Sequence, residues 1–305
     1  MESPNLTRHT RTGSLASAPS EAWRRIYRSS FGRAARNYPF AVVGLVIAVL
    51  FLAAALFPGL FTQYDPVKMS LTDRLLPPSA QHWLGTDHLG MDVYSRVIYG
   101  ARLTLMVVVA VLAMATGIGL VLGAVAGYLG GRVDTVLMRI TDVFLAFPAL
   151  VLAIAINATL GRGLAPTVLA VGFTWWPPYA RLVRAQILAG KNEEYVTAAR
   201  AVGASPIRIL VRHVLRNCFD PILVKITLDG GFVALTTAGL SFLGLGATPP
   251  TPEWGRRVAE GREFLLTDWW IVTFPGLAVC LIVVSSNLIG ELVRDWLDPS
   301  GIRRA

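Results

Sequence analysis

The sequence predicts an all-α integral membrane protein with six transmembrane helices and both termini in the cytoplasm. Three observations carry that reading. The 305 residues are 54% hydrophobic and 15% charged, against about 45–50% and about 25% in soluble domains, and the mean hydropathy is +0.55. Apolar stretches close to the roughly 20 residues that a helix needs to cross a hydrocarbon core recur along the chain. Lys and Arg number 28 against 19 Asp and Glu, a net charge of +9, and the basic residues divide unevenly between alternate connecting segments. This composition excludes a disordered chain and argues against a soluble enzyme. Cys218 and Cys280 are too few for a disulfide scaffold and form no C-x-x-C, which excludes structural zinc and redox motifs of that kind.

The first span is read at 39–57 (PFAVVGLVIAVLFLAAALF), with no charge inside it. It is longer than the apolar region of a signal peptide and follows a long polar tail, so a membrane span is the better reading. The second is placed at 103–129, the third at 143–160 and the fourth at 165–180. The fourth carries Trp175 and Trp176, suited to a membrane interface, then Pro177 and Pro178, which are expected to kink or end the helix. The fifth is placed at 222–245 and the sixth at 269–289. With the N-terminus inside, the inner segments hold 19 basic residues and the outer segments 8, while Lys225 falls within the fifth helix. That asymmetry favours both termini inside, as an even helix count requires.

Between the spans the chain divides into a basic cytoplasmic tail (1–38), a long outer loop (58–101), a core of five helices (102–291) and a short cytoplasmic tail (292–305). The first tail is Ser- and Arg-rich and is read as mostly disordered, with a basic helix at 23–36 lying on the inner surface. The outer loop is turn-rich, and long ordered loops usually have a function.

The most informative segment is the inner loop 192–217, NEEYVTAARAVGASPIRILVRHVLRN. A helix is predicted over 193–202, followed by Gly203 as a left-handed cap. Ser205 then serves as N-cap with Pro206 at the first helical position. Beyond it, Ile207, Leu210, Val211 and Val214 fall on one predicted apolar stripe, and Arg208, Arg212 and Arg216 on a basic one. Helix, glycine elbow, helix is the expected form. Two uses fit it: a helix pair lying on lipid headgroups, or a docking element whose small residues enter a groove on a partner.

Helix two carries Ala115, Gly119, Gly123 and Gly127 at four-residue spacing, a small-residue ridge read as close packing ahead of pore lining. Helix five carries Lys225, Thr227, Asp229, Thr236, Thr237 and Ser241. A carboxylate at membrane depth costs about 2.5–3.5 kcal/mol on insertion scales, so Asp229 must face water on a transport path or pair with Lys225 four residues earlier. His82, Asp87, His88 and Asp92 are ligand types for a metal, but a solvated loop is the better reading and no metal site is assigned.

A resemblance chooses between the uses of the elbow. Two small residues followed four positions later by glycine, here Ala198, Ala199 and Gly203, resemble the EAA loop of ABC-importer permeases. The likeness extends to HWLGTDHLGMDVYSRVIYGAR (82–102), AGYLGGRVD (126–134), MRITDVFLAFPAL (138–150), PPYARLVR (177–184), EYVTAARAVGAS (194–205), LSFLGLG (240–246) and LVRDWLDP (292–299). In order over 80–299, these are similar to the dipeptide/oligopeptide (peptide/nickel) permease family, in its C-type branch. The chain departs from the family pattern at Thr197 (the acid position of the loop), Leu215-Arg216 (usually Leu-Pro), Thr237 (usually Glu) and Met91 (usually Arg).

The resemblance implies the ABC type I importer permease (MetI-like) fold and one half of a heterodimeric channel. The implied partners are a homologous B-type permease, two cytoplasmic ABC ATPases and an extracytoplasmic substrate-binding protein, in a lipid bilayer and without nucleic acid. It implies ATPase coupling through Tyr195, Ala198, Ala199, Gly203 and Ala204, with Arg200 and Arg208 facing acidic groups on the ATPase. Transport would run by alternating access along Thr227, Asp229, Thr236, Thr237 and Ser241. Peptides are the default cargo, with nickel complexes, haem or glutathione as alternatives. The chain holds no G-x-x-x-x-G-K-[ST], so it has no P-loop for ATP; no catalytic residue is assigned, and ATP and Mg²⁺ fall to the partners. Two readings outside the family are an intramembrane hydrolase and a channel needing no ATP. The first lacks a His or second carboxylate in the predicted spans to accompany Asp229, and the second gives no account of the elbow.

Overall fold

The computed structural model describes residues 39–297. The tail 1–38, with the basic helix expected at 23–36, and residues 298–305 lie outside the described residues. The helices of eight residues or more are α1 (Pro39–Leu56), α2 (Val93–Leu129), α3 (Gly131–Leu145), α4 (Ala149–Leu160), α5 (Leu164–Gly190), α6 (Glu194–Ala201), α7 (Phe219–Phe242), α8 (Trp254–Gly261) and α9 (Trp270–Leu297). Among the described residues no named β-strand occurs, only an isolated bridge between Thr86 and Asp92. Four helices, α1, α2, α7 and α9, are long and apolar enough to cross a membrane, and the bent pair α3–α4 makes up to five. Helices satisfy their own backbone polar groups, which is what a hydrocarbon environment demands.

Three helices differ from the sequence reading. The helix expected from 103 begins at Val93, because the Asp92 carboxylate caps it by accepting from Ser95 N at 2.8 Å. Arg96 and Arg102 had interrupted the apolar pattern there, although Arg96 is buried within the protein. The span expected at 143–160 is broken: α3 ends at Leu145, and α4 sets off at 89° to it. Pro148 explains the break, since proline drives the preceding Phe147 out of helical geometry and then serves as the N-cap of α4. The third is α5, which does not end at its prolines but runs through Pro177 and Pro178 to Gly190. Extensive packing on α2 along that stretch holds the helix together across the two prolines.

The α2–α5 contact is the most extensive in the bundle. Gly119, Gly123 and Gly127 face Tyr179, Ala180, Val183 and Ile187, so close that a methyl group on Gly123 would lie 2.5 Å from the Ala180 carbonyl oxygen. The small-residue ridge is thus a packing surface. At the other flank, α1 lies on α9, where Ser285 Oγ donates to the Gly44 carbonyl at 2.7 Å.

The long loops gather at one end. Trp254 Nε1 donates to Val97 O, Trp270 Nε1 to Thr86 O and Arg96 Nη2 to Pro250 O. Asp87 Oδ2 sits 3.5 Å from both Arg96 and Arg257, all three buried. Glu253 caps α8 by accepting from Gly255 N and Arg256 N; burial pushes its carboxyl up and the Arg257 guanidinium down from their ordinary values.

The packing makes a clear prediction. Gly123→Val should cost about 1–3 kcal/mol by overpacking and lower the thermal midpoint of the solubilised protein. Gly117→Val, on the same helix but facing open space, should leave that midpoint near the wild-type value.

Candidate functional site

The elbow forms as its residues dictate. α6 ends in a Schellman cap: Gly203 takes φ +80°, its N–H donates to Arg200 O, and Ala204 N donates to Ala199 O, both at 3.0 Å. Ser205 Oγ accepts from Arg208 N at 3.4 Å with Pro206 at the first position of the second arm. Tyr195 closes the elbow, its hydroxyl accepting from Asn217 Nδ2 at 2.8 Å.

The second arm corrects the expected apolar stripe. A π turn occupies Leu210–Val214, with Leu215 N donating back to Leu210 O. The wider turn shifts the helical register. Val214 is 1% exposed, whereas Ile207 is 76% and Val211 60% exposed. Ile209, which the stripe had left out, is buried instead. The inner set, Ile209, Val214 and Cys218 with Val196 and Ala199 of α6, packs on Val183 and Ile187 of α5 and Ile222 of α7. Burial also pushes the Cys218 thiol up from its ordinary value.

The outer face carries a shallow depression of about 520 Å³, lined by Tyr195, Ala198, Ala199, Gly203, Ala204 and Arg208, among others. The structure thus brings together six of the seven expected coupling residues. Arg200 does not line it; its guanidinium turns back to Lys191 O at 3.4 Å. Arg208, Arg212 and Arg216 are all exposed.

Sequence reasoning missed what holds the elbow's base. Arg184 Nε and Nη2 lie 2.5 and 2.6 Å from the two carboxylate oxygens of Asp134, a bidentate pair. Lys191 Nζ donates to Gly127 O at 3.1 Å, and Arg181 pairs with Asp142 at 2.6 Å. Asp134 and Arg184 each stand in one of the quoted motif stretches, a signal that two separate motifs meet.

On α7, Lys225 Nζ is 3.0 Å from Asp229 Oδ2, so the ion pair forms. Thr227, Thr236 and Thr237 each donate to a carbonyl of their own helix, one turn back. Thr237 and Ser241 are buried. In the loop end, His82 Nδ1 meets Asp92 Oδ1 at 2.9 Å, and Asp87 accepts from Leu89 N and Met91 N. Among the described residues no group of three or more His, Cys, Asp or Glu could hold a metal ion.

A local prediction follows from Gly203. Its Cβ position is open, so only its φ is at stake. Gly203→Val should destabilise the elbow by about 1–2 kcal/mol, the cost of a left-handed L-residue, and Gly203→Asn by less. Faster hydrogen exchange across 194–217 in the valine variant alone is the expected reading.

Residues 119–302 match the family model described as binding-protein-dependent transport system inner membrane component. The chain is 44% identical over 264 residues to the probable D,D-dipeptide transport system permease protein DdpC of Escherichia coli (strain K12), covering 87% of this chain and 89% of that protein. It is 41% identical over 273 residues to the dipeptide transport system permease protein DppC of Alkalihalophilus pseudofirmus, covering 90% of each. It is also 41% identical over 257 residues to the nickel transport system permease protein NikC of Escherichia coli (strain K12), covering 84% of this chain and 93% of that one. This chain therefore belongs to the family of binding-protein-dependent transport system inner membrane components, in its peptide and nickel permease group.

Proposed function

We propose that this chain is one permease half of a heterodimeric, ATP-driven importer that moves di- or oligopeptides across the plasma membrane by alternating access. The observation that carries the reading is the elbow: its inner face is anchored in the bundle, while its outer face offers a depression walled by small residues. In this reading the six spans are α1, α2, the bent α3–α4 pair, α5, α7 and α9. The apolar first part of α5 enters the membrane and its basic second part stays at the inner surface. The excess of basic residues in the first tail and around the elbow supports a cytoplasmic position for both termini and the elbow.

An ABC ATPase then docks a groove over Tyr195, Ala198, Ala199, Gly203 and Ala204, with Arg208 at the rim. Closure of the ATPase dimer on ATP and Mg²⁺ pulls the elbows of the two permeases together, and the helices rock between two states. The homologous B-type permease supplies the other half of the path, and an extracytoplasmic binding protein delivers cargo to the loop end. This chain contributes no catalytic group. Thr227, Asp229, Thr236, Thr237 and Ser241 of α7 belong to the path in this reading. Two of the relatives compared above are named for dipeptides, which favours peptide cargo; the nickel-transport relative makes a nickel complex the second reading.

Ala198→Trp fills the depression from its open side. We expect normal membrane levels with loss of ATPase co-purification and a drop of about tenfold or more in uptake, the scale of losing one well-packed anchor. Wild-type uptake in that variant would remove the elbow from the mechanism. Uptake of dialanine against nickel in the parent complex decides the cargo.

A further inference from the structure

Three helices bring polar groups to one buried place in the bundle. Asp229 of α7 stands ten residues into a 24-residue helix, about 15 Å along its axis and so near its middle. The Tyr179 side chain of α5 is fully buried beside it, and Thr116 of α2 is the hydroxyl's other polar neighbour. The Tyr179 hydroxyl is set against both Asp229 and Thr116, yet beyond the Lys225 ion pair Asp229 Oδ2, Tyr179 Oη and Thr116 Oγ1 close no hydrogen bond of good geometry. Buried polar groups are normally well partnered, so three set side by side without a well-formed hydrogen bond make a polar spot inside an apolar bundle. What fills the centre is a primary ammonium: Lys225 Nζ lies 3.0 Å from Asp229 Oδ2 and 5.0 Å from the Tyr179 ring centroid, over its face. A carboxylate, an aromatic face and a hydroxyl are the groups that recognise a cationic amine.

We infer that Asp229, Tyr179 and Thr116 form a binding cage for the amino group of the cargo, and that Lys225 occupies it as a tethered stand-in until cargo displaces it. The exchange is balanced. The cargo ammonium takes the Asp229 carboxylate and the Tyr179 ring, and the released Lys225 ammonium pairs with the cargo carboxylate. No net charge is left bare at membrane depth at any stage, which is the costly alternative. The spacing agrees: residues four apart on a helix have Cβ atoms about 5–6 Å apart, and the two ends of an extended dipeptide lie about 7 Å apart. Lys225 retains partial exposure, which leaves it free to swing out. A zwitterion fits this site, while an N-blocked peptide or an anion does not. The inference rests on the proposed transport function and specifies the chemistry of its path.

The test uses the whole complex in vesicles with dialanine and N-acetyl-dialanine as probes. Asp229→Asn should lower dialanine uptake about tenfold, the factor one charge-assisted hydrogen bond carries. The double variant Lys225→Met/Asp229→Leu, which removes both charges and leaves an apolar helix, should stay equally impaired. A purely structural ion pair predicts recovery in that double variant, and recovery would overturn the inference. A second readout needs no transport: the thermal midpoint of the solubilised complex without its soluble binding protein. Dialanine should raise it, N-acetyl-dialanine should not, and the shift should vanish in Asp229→Asn. If the parent complex fails to import dialanine, peptide cargo is wrong, yet an amine-dependent shift lost in Asp229→Asn still upholds the cage. Absence of any such shift overturns it.

Discussion

Helices in hydrocarbon gain nothing from burying apolar surface against one another, so backbone approach through small residues has to hold them. In this protein that constraint is met along α2, where Ala115, Gly119, Gly123 and Gly127 admit α5 to within contact of its own backbone. The rest of the architecture follows from that seam. It carries α5 through Pro177 and Pro178 without a break. It sets Lys191 against Gly127 O and Arg184 against Asp134, so the helix leading into the elbow is fixed where it leaves the bundle. A displacement of the elbow is then a displacement of α5 and of the α2–α3 corner, not of a loose loop.

The elbow itself divides its apolar residues between two tasks. Val196, Ala199, Ile209, Val214 and Cys218 are spent inward on α5 and α7. Ile207, Val211 and Val202 remain exposed beside the depression. A regular α-helix would keep Val211 and Val214 on one face; the π turn parts them. An element built this way is held firmly against its own protein and still keeps apolar surface on its outer side.

Charges are handled in two different ways at two depths. In the loop end, Arg96, Arg257 and Asp87 are buried together and further tied to Pro250 O and Glu260, a cluster with several partners per ion that joins distant parts of the chain. Breaking such a buried set leaves uncompensated charge and costs several kcal/mol. On α7, Lys225 and Asp229 pair within one helix, with Lys225 over the Tyr179 ring of α5 and still partly exposed. The first arrangement is built to stay, and the second is built so that it can open.

Much was legible in the order of residues because the signals are local. Apolar runs located α1, α7 and α9 to within a few residues at most ends, and Gly203 with Ser205-Pro206 fixed the elbow, since caps and left-handed turns depend on immediate neighbours. The four-residue spacing announced the α2 ridge, and the i, i+4 spacing announced the Lys225–Asp229 pair as one of two options. What lay beyond sequence were facts set by other elements. The α2 start at Val93 depends on burying Arg96 among loop charges, and the unbroken α5 depends on its seam with α2. The inner and outer faces of 206–217 depend on a π turn whose register is decided by packing on α5 and α7. The sequence by itself determined where the apolar helices α1, α7 and α9 lie and where the elbow bends, because desolvation and capping act residue by residue. Only the tertiary structure decided which face of each helix is spent on packing and which is left open, because that depends on neighbours far away along the chain.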